Sequence, residues 1–250
     1  MGAEAGTTAL PNAAGPVLAE LAEVPWRRLS DERFLRRRAR IWMCWTLGWT
    51  LPFLAATVVL LALDPVTLPV ALASLAHAWI TPELYAYRGA SVLRPKGPRD
   101  QRGEPVAQGL LGDLLGHDAR ALHRATGLAM ERGRMGVWLV GEAGAVLFPH
   151  GTRRVHCFCV RTTDGELPPS DRVAHLLLAL RTDEQGFATV ANHAFAGAPW
   201  RARRRLPRQM RGAFDEARAA ARAVSEGPHS LPFIQWDKPS LKLVASSWPS

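Results

Sequence analysis

Residues 41–63 run for 23 positions without a charged side chain, and a second apolar stretch, 66–82, follows after only Asp64-Pro65. No other feature restricts the fold as strongly. A helix rises about 1.5 Å per residue and the hydrocarbon core of a bilayer is about 30 Å thick, so 41–63 is long enough to cross it. The second stretch, carried on through Trp79 and Ile80 to Tyr87, is expected to cross as well. Glu83 then falls near its far end, where a carboxylate reaches the headgroups. Asp64-Pro65 leaves no room for a loop. The pattern predicts a transmembrane helical hairpin over 41–87, with antiparallel helices at 41–63 and 66–87.

Positive charge sets its direction. Arg27, Arg28, Arg33, Arg36, Arg37, Arg38 and Arg40 precede the first span, and Arg88, Arg94, Lys96, Arg99 and Arg102 follow the second. The connecting turn has no Lys or Arg. The expectation is an inner-membrane protein with both termini in the cytoplasm. A cleaved signal peptide fits poorly, because the basic segment 1–40 is long and a second apolar stretch follows. Trp42, Trp45 and Trp49 recur at helical spacing near the cytoplasmic end, and Tyr85 and Tyr87 lie level with them on the other helix, which is the pattern of an interfacial aromatic anchor.

Intramembrane ionisable groups are functional candidates by default. His77 is one. In a hairpin centred on residues 64 and 65 it lies level with Pro52, which cannot donate to the Gly48 carbonyl. A neutral His77 is therefore expected to donate to Gly48 or to Thr50, a structural role. Ser74 and Ala78 form a small-residue face that suits a partner helix or a second protomer.

The net charge of +9 suggests nucleic acid, but its distribution does not. Residues 106–200 carry equal numbers of Arg and acidic residues. The excess lies beside the apolar stretches and in residues 201–226. It reads as attraction to anionic lipid headgroups, and nucleic acid is disfavoured. The chain uses 28 Arg and only 3 Lys, the habit of a GC-rich bacterial genome, so a single Arg carries little information.

Residues 88–105, rich in Gly and Pro, read as a linker. Residues 106–226 are long enough for one small cytoplasmic domain. Helices are expected at 106–115 and 118–132, the second from Leu122, Thr126, Ala129 and Met130. Val137-Trp138-Leu139-Val140 and Ala145-Val146-Leu147-Phe148 flank a glycine-bounded turn and predict a β-hairpin. A third strand is expected at 153–162. Ser170 caps a helix bearing Val173, Leu176, Leu177 and Leu180. Residues 186–196 alternate enough to suggest a fourth strand, and 206–225 a last helix. The order implies an α+β fold, with a 3–4-strand antiparallel sheet and packed helices behind the hairpin. Residues 227–250 form a Pro, Ser and aromatic tail.

The most suggestive chemical cluster is His150 with His156-Cys157-Phe158-Cys159. Thiolates and imidazoles bind zinc. Strand alternation, however, turns Cys157 and Cys159 to one face and His156 to the other. No metal or cofactor is expected on that spacing. Arg201, Arg203, Arg204, Arg205, Arg208 and Arg211, after Trp200, form the densest basic run and would face lipid or a partner; an ordinary solvated helix face is the bland alternative. The chain contains no phosphate-binding glycine loop, dinucleotide fingerprint, zinc-protease helix or nucleophile elbow, which removes the standard nucleotide and hydrolase classes.

The expected function is a membrane-anchored, cytoplasm-facing binding or scaffold domain, able to self-associate or meet other membrane proteins through the hairpin. The alternatives are a membrane-bound enzyme that gathers His117, His150, His156, His175, Cys157 and Cys159 into one site, or a subunit of a larger membrane assembly.

Overall fold

The computed structural model describes residues 29–95, 102–160 and 167–226. The tail at 227–250, most of the basic segment 1–40 and the middle of the 88–105 linker lie outside the described residues. Asp31 opens the first helix, α1 (Glu32–Leu63), by accepting from the Phe34 amide at 2.6 Å. Asp64 ends it and caps the single 3-10 turn Pro65–Thr67 through the Val66 amide. The chain then returns as α2 (Leu68–Ala90), packed antiparallel on α1.

The contact face of α2 is built from small residues. Ala71 and Ala78 are buried, and the Ser74 hydroxyl donates to the Phe53 carbonyl of α1 at 2.9 Å. Thr57 donates both to Phe53 within α1 and to Ala71 across the pair. The Ser74 and Ala78 face thus seats α1. His77 stacks on Phe53, with ring centroids 5.5 Å apart, and bonds the Ala73 carbonyl of its own helix rather than Gly48 or Thr50.

The helical pairing matches expectation, but the two-span transmembrane hairpin needs correction. Among the described residues one helix, α1, is long and apolar enough to cross a membrane. The last turns of α2 belong to the domain. Glu83, Ala86, Gly89 and Ala90 are buried there, and a Cβ placed at Gly89 would sit 2.5 Å from Phe195 Cβ. Glu83 does not reach toward headgroups. Its Oε2 accepts from Arg205 Nε at 3.0 Å and Nη2 at 2.5 Å. What remains of α2 is interrupted by His77 and Pro82. Beyond it, in the segment read as a linker, Val92 and Leu93 are buried in the core.

The domain continues with α3 (Glu104–Leu114), α4 (His117–Thr126), β1 (Ala129–Arg132), β2 (Gly136–Gly141), β3 (Gly144–Pro149), β4 (Val155–Cys159), α5 (Pro169–Thr182), α6 (Glu184–Val190), β5 (Asn192–Gly197), α7 (Pro199–Arg205) and α8 (Arg208–Glu226). The fold is α+β. Its sheet has five antiparallel strands in chain order, not the three or four expected. The additional strand is β1. Gly127, in the left-handed conformation at φ 73°, stops α4, so Ala129 and Met130 pair with Val140 and Leu139 instead of extending the helix expected over 118–132. The ambiguous 186–196 region resolves into α6 and the start of β5, because Asp183 caps a helix by accepting from Gly186.

Helices cover both faces of the sheet. Val137, Leu139, Val146, Phe148, Val155, Cys157 and Phe195 pack against α2, α7 and α8, with Phe214 near the centre. Trp138, Val140, Ala145, Leu147 and Phe158 face α3, α5 and α6, together with Leu35 from the first turn of α1. Coverage of both faces explains why β2 and β3 read as unbroken apolar runs. The buried Trp138 indole donates to Glu184 Oε1 at 2.6 Å, and that carboxylate also takes the Arg134 and Met135 amides of the β1–β2 turn.

Candidate functional site at the base of the helical hairpin

Where α1 and α2 leave the domain, they cross the edge strand β5. The pairing of β4 with β5 slips between Cys157 and Phe158, so Ala194 is left without a partner and His193 lies opposite Phe158. A bulge of this kind re-aims side chains. Here it brings His193 Nε2 to 3.0 Å from His156 Nδ1. The Trp42 indole of α1 donates to His193 Nδ1 at 3.2 Å. An indole N–H is only a donor, so His193 Nδ1 is unprotonated and the ring's proton sits on Nε2. Nε2 then donates to His156 Nδ1, which leaves the His156 proton on its own Nε2. The tautomers follow in order along the chain Trp42, His193, His156.

Burial pushes both imidazoles down, His156 to about 3 with help from His193 and Arg154, and His193 to about 4 with help from Arg38. His156 is 2 % exposed, Trp42 and Phe158 pack against His193, and Tyr85 and Phe195 pack in turn against Trp42. Arg154 ties the same junction to α1 by donating to the Ala39 carbonyl at 3.0 Å. The pair is an internal joint between the first helix and the sheet.

The other cluster residues do not join it. Cys157 points to the opposite face, fully buried, with its thiol raised by desolvation. Cys159 packs half-buried against the same core. His150 lies 3.4 Å from the Gly133 carbonyl at the end of β3. His117 and His175 are exposed on α4 and α5. Among the described residues no three His, Cys, Asp or Glu side chains gather as a metal site would need. The bulge that creates the histidine pair has no sequence signal, and its members are 37 residues apart.

A small polar pocket of about 160 Å³ lies between α3, α4 and α5, lined in part by Glu104, His123, Glu142 and Ser170. Glu104 accepts from Ser170 Oγ at 2.6 Å, from the Ser170 amide and from Gln108. The serine is thus turned toward a carboxylate rather than toward His123, whose pKa burial lowers. That is helix capping and not a nucleophile beside its base.

The basic run is divided by the fold. Arg203 pairs with Asp215 at 2.7 Å and Arg205 with Glu83, while Arg211 bonds the Leu206 and Arg204 carbonyls. Arg201 and Arg204 stack near the exposed Trp200, and Arg208 is exposed. The ion pair to Glu83 sets α7 beside the base of the hairpin. Of the aromatic group, Trp42 turns inward, Trp45 donates to the Tyr85 hydroxyl at 3.2 Å, Trp49 is exposed, and Tyr87 lies under Arg94.

Beyond this base the two helices project as an apolar prong. Leu47, Trp49, Leu51, Leu54, Val58, Val59, Leu61 and Leu63 on α1 are exposed, as are Val70, Leu72, Leu75, Trp79 and Ile80 on α2. Its polar side chains are satisfied internally. Thr46, Thr50, Thr57, Thr67, Ser74 and Thr81 each donate to a carbonyl of the prong or its base. From Trp45 to Leu63 the prong is about 28 Å long at 1.5 Å per residue. No protein-family model, no curated protein and no solved structure matches the chain.

Proposed function

We propose that the chain is a membrane-anchored binding protein of the bacterial inner membrane. In this reading α1 enters the bilayer with α2 packed against it, and the α+β domain is held at the cytoplasmic surface to engage a protein or ligand there. The observation that carries it is the prong: a run of exposed apolar side chains in which the hydroxyls are bonded to protein carbonyls. In water such a surface is costly, about 25 cal/mol per Å² of apolar area, whereas in hydrocarbon it costs nothing and the internal hydrogen bonds become necessary.

Further support comes from what lies at the base. Arg37 and Arg40 line α1 beside its apolar run, Arg88 lies exposed in the last turn of α2, and Arg201 and Arg204 are carried by α7, which packs on α2. The first turns of α1 are bonded into the domain: Ser30 donates through Oγ to the Ala188 carbonyl at 3.0 Å, and Leu35 is a core residue. A leader destined for removal would not carry core contacts, so a permanent anchor is favoured over a signal sequence. The bonds from Trp42 to His193 and from Arg154 to Ala39 support a defined facing of the domain toward the membrane. Tethering of this kind acts by raising local concentration toward other membrane-bound partners.

Alkaline carbonate extraction of membranes from cells expressing the full chain is the direct test. The protein is expected in the membrane pellet, and externally added protease should leave the domain intact in right-side-out spheroplasts. Release into the carbonate supernatant would overturn the anchoring, and digestion from outside would overturn the orientation.

A further inference from the structure

On the side of α1 away from α2 lies a groove of about 750 Å³, lined by Arg37, Arg40, Ile41, Cys44, Trp45, Gly48 and Trp49. Its floor is low because Cys44 and Gly48, one turn apart, carry little side chain, and a Cβ at Gly48 would meet nothing within 4 Å. One wall is a pair of indoles. Trp45 and Trp49 pack edge to face with centroids 6.0 Å apart, and the bond from Trp45 to the Tyr85 hydroxyl holds the first of them in place. At the domain end stand Arg37 and Arg40, both exposed and neither in an ion pair among the described residues. The groove is therefore polarised along its length, cationic at one end and apolar along the rest.

We propose that this groove binds one anionic phospholipid. The headgroup phosphate accepts from the Arg37 and Arg40 guanidinium groups, and one acyl chain lies over Cys44 and Gly48 alongside the paired indoles. The inference rests on the membrane reading above and adds a specific, selective site to it. Charge decides the occupant. A second copy of α1 docked on this face by two-fold symmetry would set Arg37 and Arg40 against their own counterparts. A zwitterionic lipid fills the apolar part but leaves the two cations uncompensated.

The test uses the full chain in detergent, native mass spectrometry, and phosphatidylglycerol against phosphatidylcholine with identical acyl chains. Wild type is expected to retain one phosphatidylglycerol about thirtyfold more tightly than phosphatidylcholine, from two lipid-facing arginines. Arg37→Gln/Arg40→Gln should abolish the preference. Gly48→Leu should fill the groove and weaken both lipids, since the added side chain meets open space and leucine favours the helix. Unchanged lipid retention in both variants would overturn the site, as would a lipid-free dimer that Gly48→Leu dissociates. Flotation on neutral phosphatidylcholine vesicles reports anchoring alone, and all three proteins should float. Failure to float would overturn the membrane reading and the site together; flotation without selectivity would overturn the site alone.

Discussion

At the scale of single residues, the histidine pair shows how a cluster can be noticed for the wrong reason. Sequence spacing drew attention to His156 beside two cysteines, but alternation in β4 separates them, and its true partner is His193. Both imidazoles are held neutral by burial, with folded pKa values of about 3 and about 4 against an ordinary 6.5. Because these values are depressed, the unfolded chain binds the protons first. The stability they confer is complete above pH 6.5 and is lost as the pH falls toward 4. Each histidine contributes a slope of about 1.4 kcal/mol per pH unit in that window. Denaturation of the full chain in detergent between pH 7 and 4.5 should show this loss. His156→Gln keeps an acceptor for His193 and removes one titrating group, so its slope should be about half. An unchanged slope would mean that other groups govern the acid sensitivity.

At the scale of elements, the parts read correctly were those whose signals are local. The α1–α2 pairing follows from two apolar runs joined by Asp-Pro, and the β2–β3 hairpin from two runs around glycines. The misread elements were settled by single residues against the periodic pattern: Gly127 cut α4 short and freed β1, and Asp183 started α6 where alternation suggested a strand. Glu83 shows the limit most clearly. Its place at the end of an apolar stretch suggested headgroup contact, yet the partner is Arg205, 122 residues away. The carboxylate is 5 % exposed, so removing the cation strands a buried charge. Arg205→Met should destabilise the protein by about 3 kcal/mol, toward the low end of buried-pair losses because the guanidinium is itself partly exposed. The double variant Glu83→Leu/Arg205→Met should recover most of that loss. Thermal melts in one detergent would decide; additive losses would show that the pair does not couple α2 to α7.

At the scale of the whole molecule, the structure joins two environments through one continuous helix. The first turns of α1 help build the core on one sheet face, its middle carries Trp42 into the β5 edge, and its remainder forms the exposed prong. Composition by segment separates a charge-balanced stretch, 106–200, from the apolar stretches and the basic residues beside them. It does not show how the two are joined, because the joint rests on long-range bonds such as Ser30 to Ala188 and Arg154 to Ala39. The three cysteines differ in burial: Cys44 is exposed in the groove, Cys157 is buried, and Cys159 is half-buried. In phosphatidylglycerol-containing vesicles a membrane-impermeant maleimide should find Cys44 covered by lipid. Cys157 should stay unreactive, because its thiol is both buried and shifted away from the thiolate. Cys159 is then the only thiol open to slow modification, whereas denaturation in dodecyl sulfate should expose all three. Cys44→Ser should lower the denatured count by one and leave the native count unchanged. A native count that falls with Cys44→Ser would place the α1 groove in water, against both the anchoring and the lipid that the groove is argued to hold.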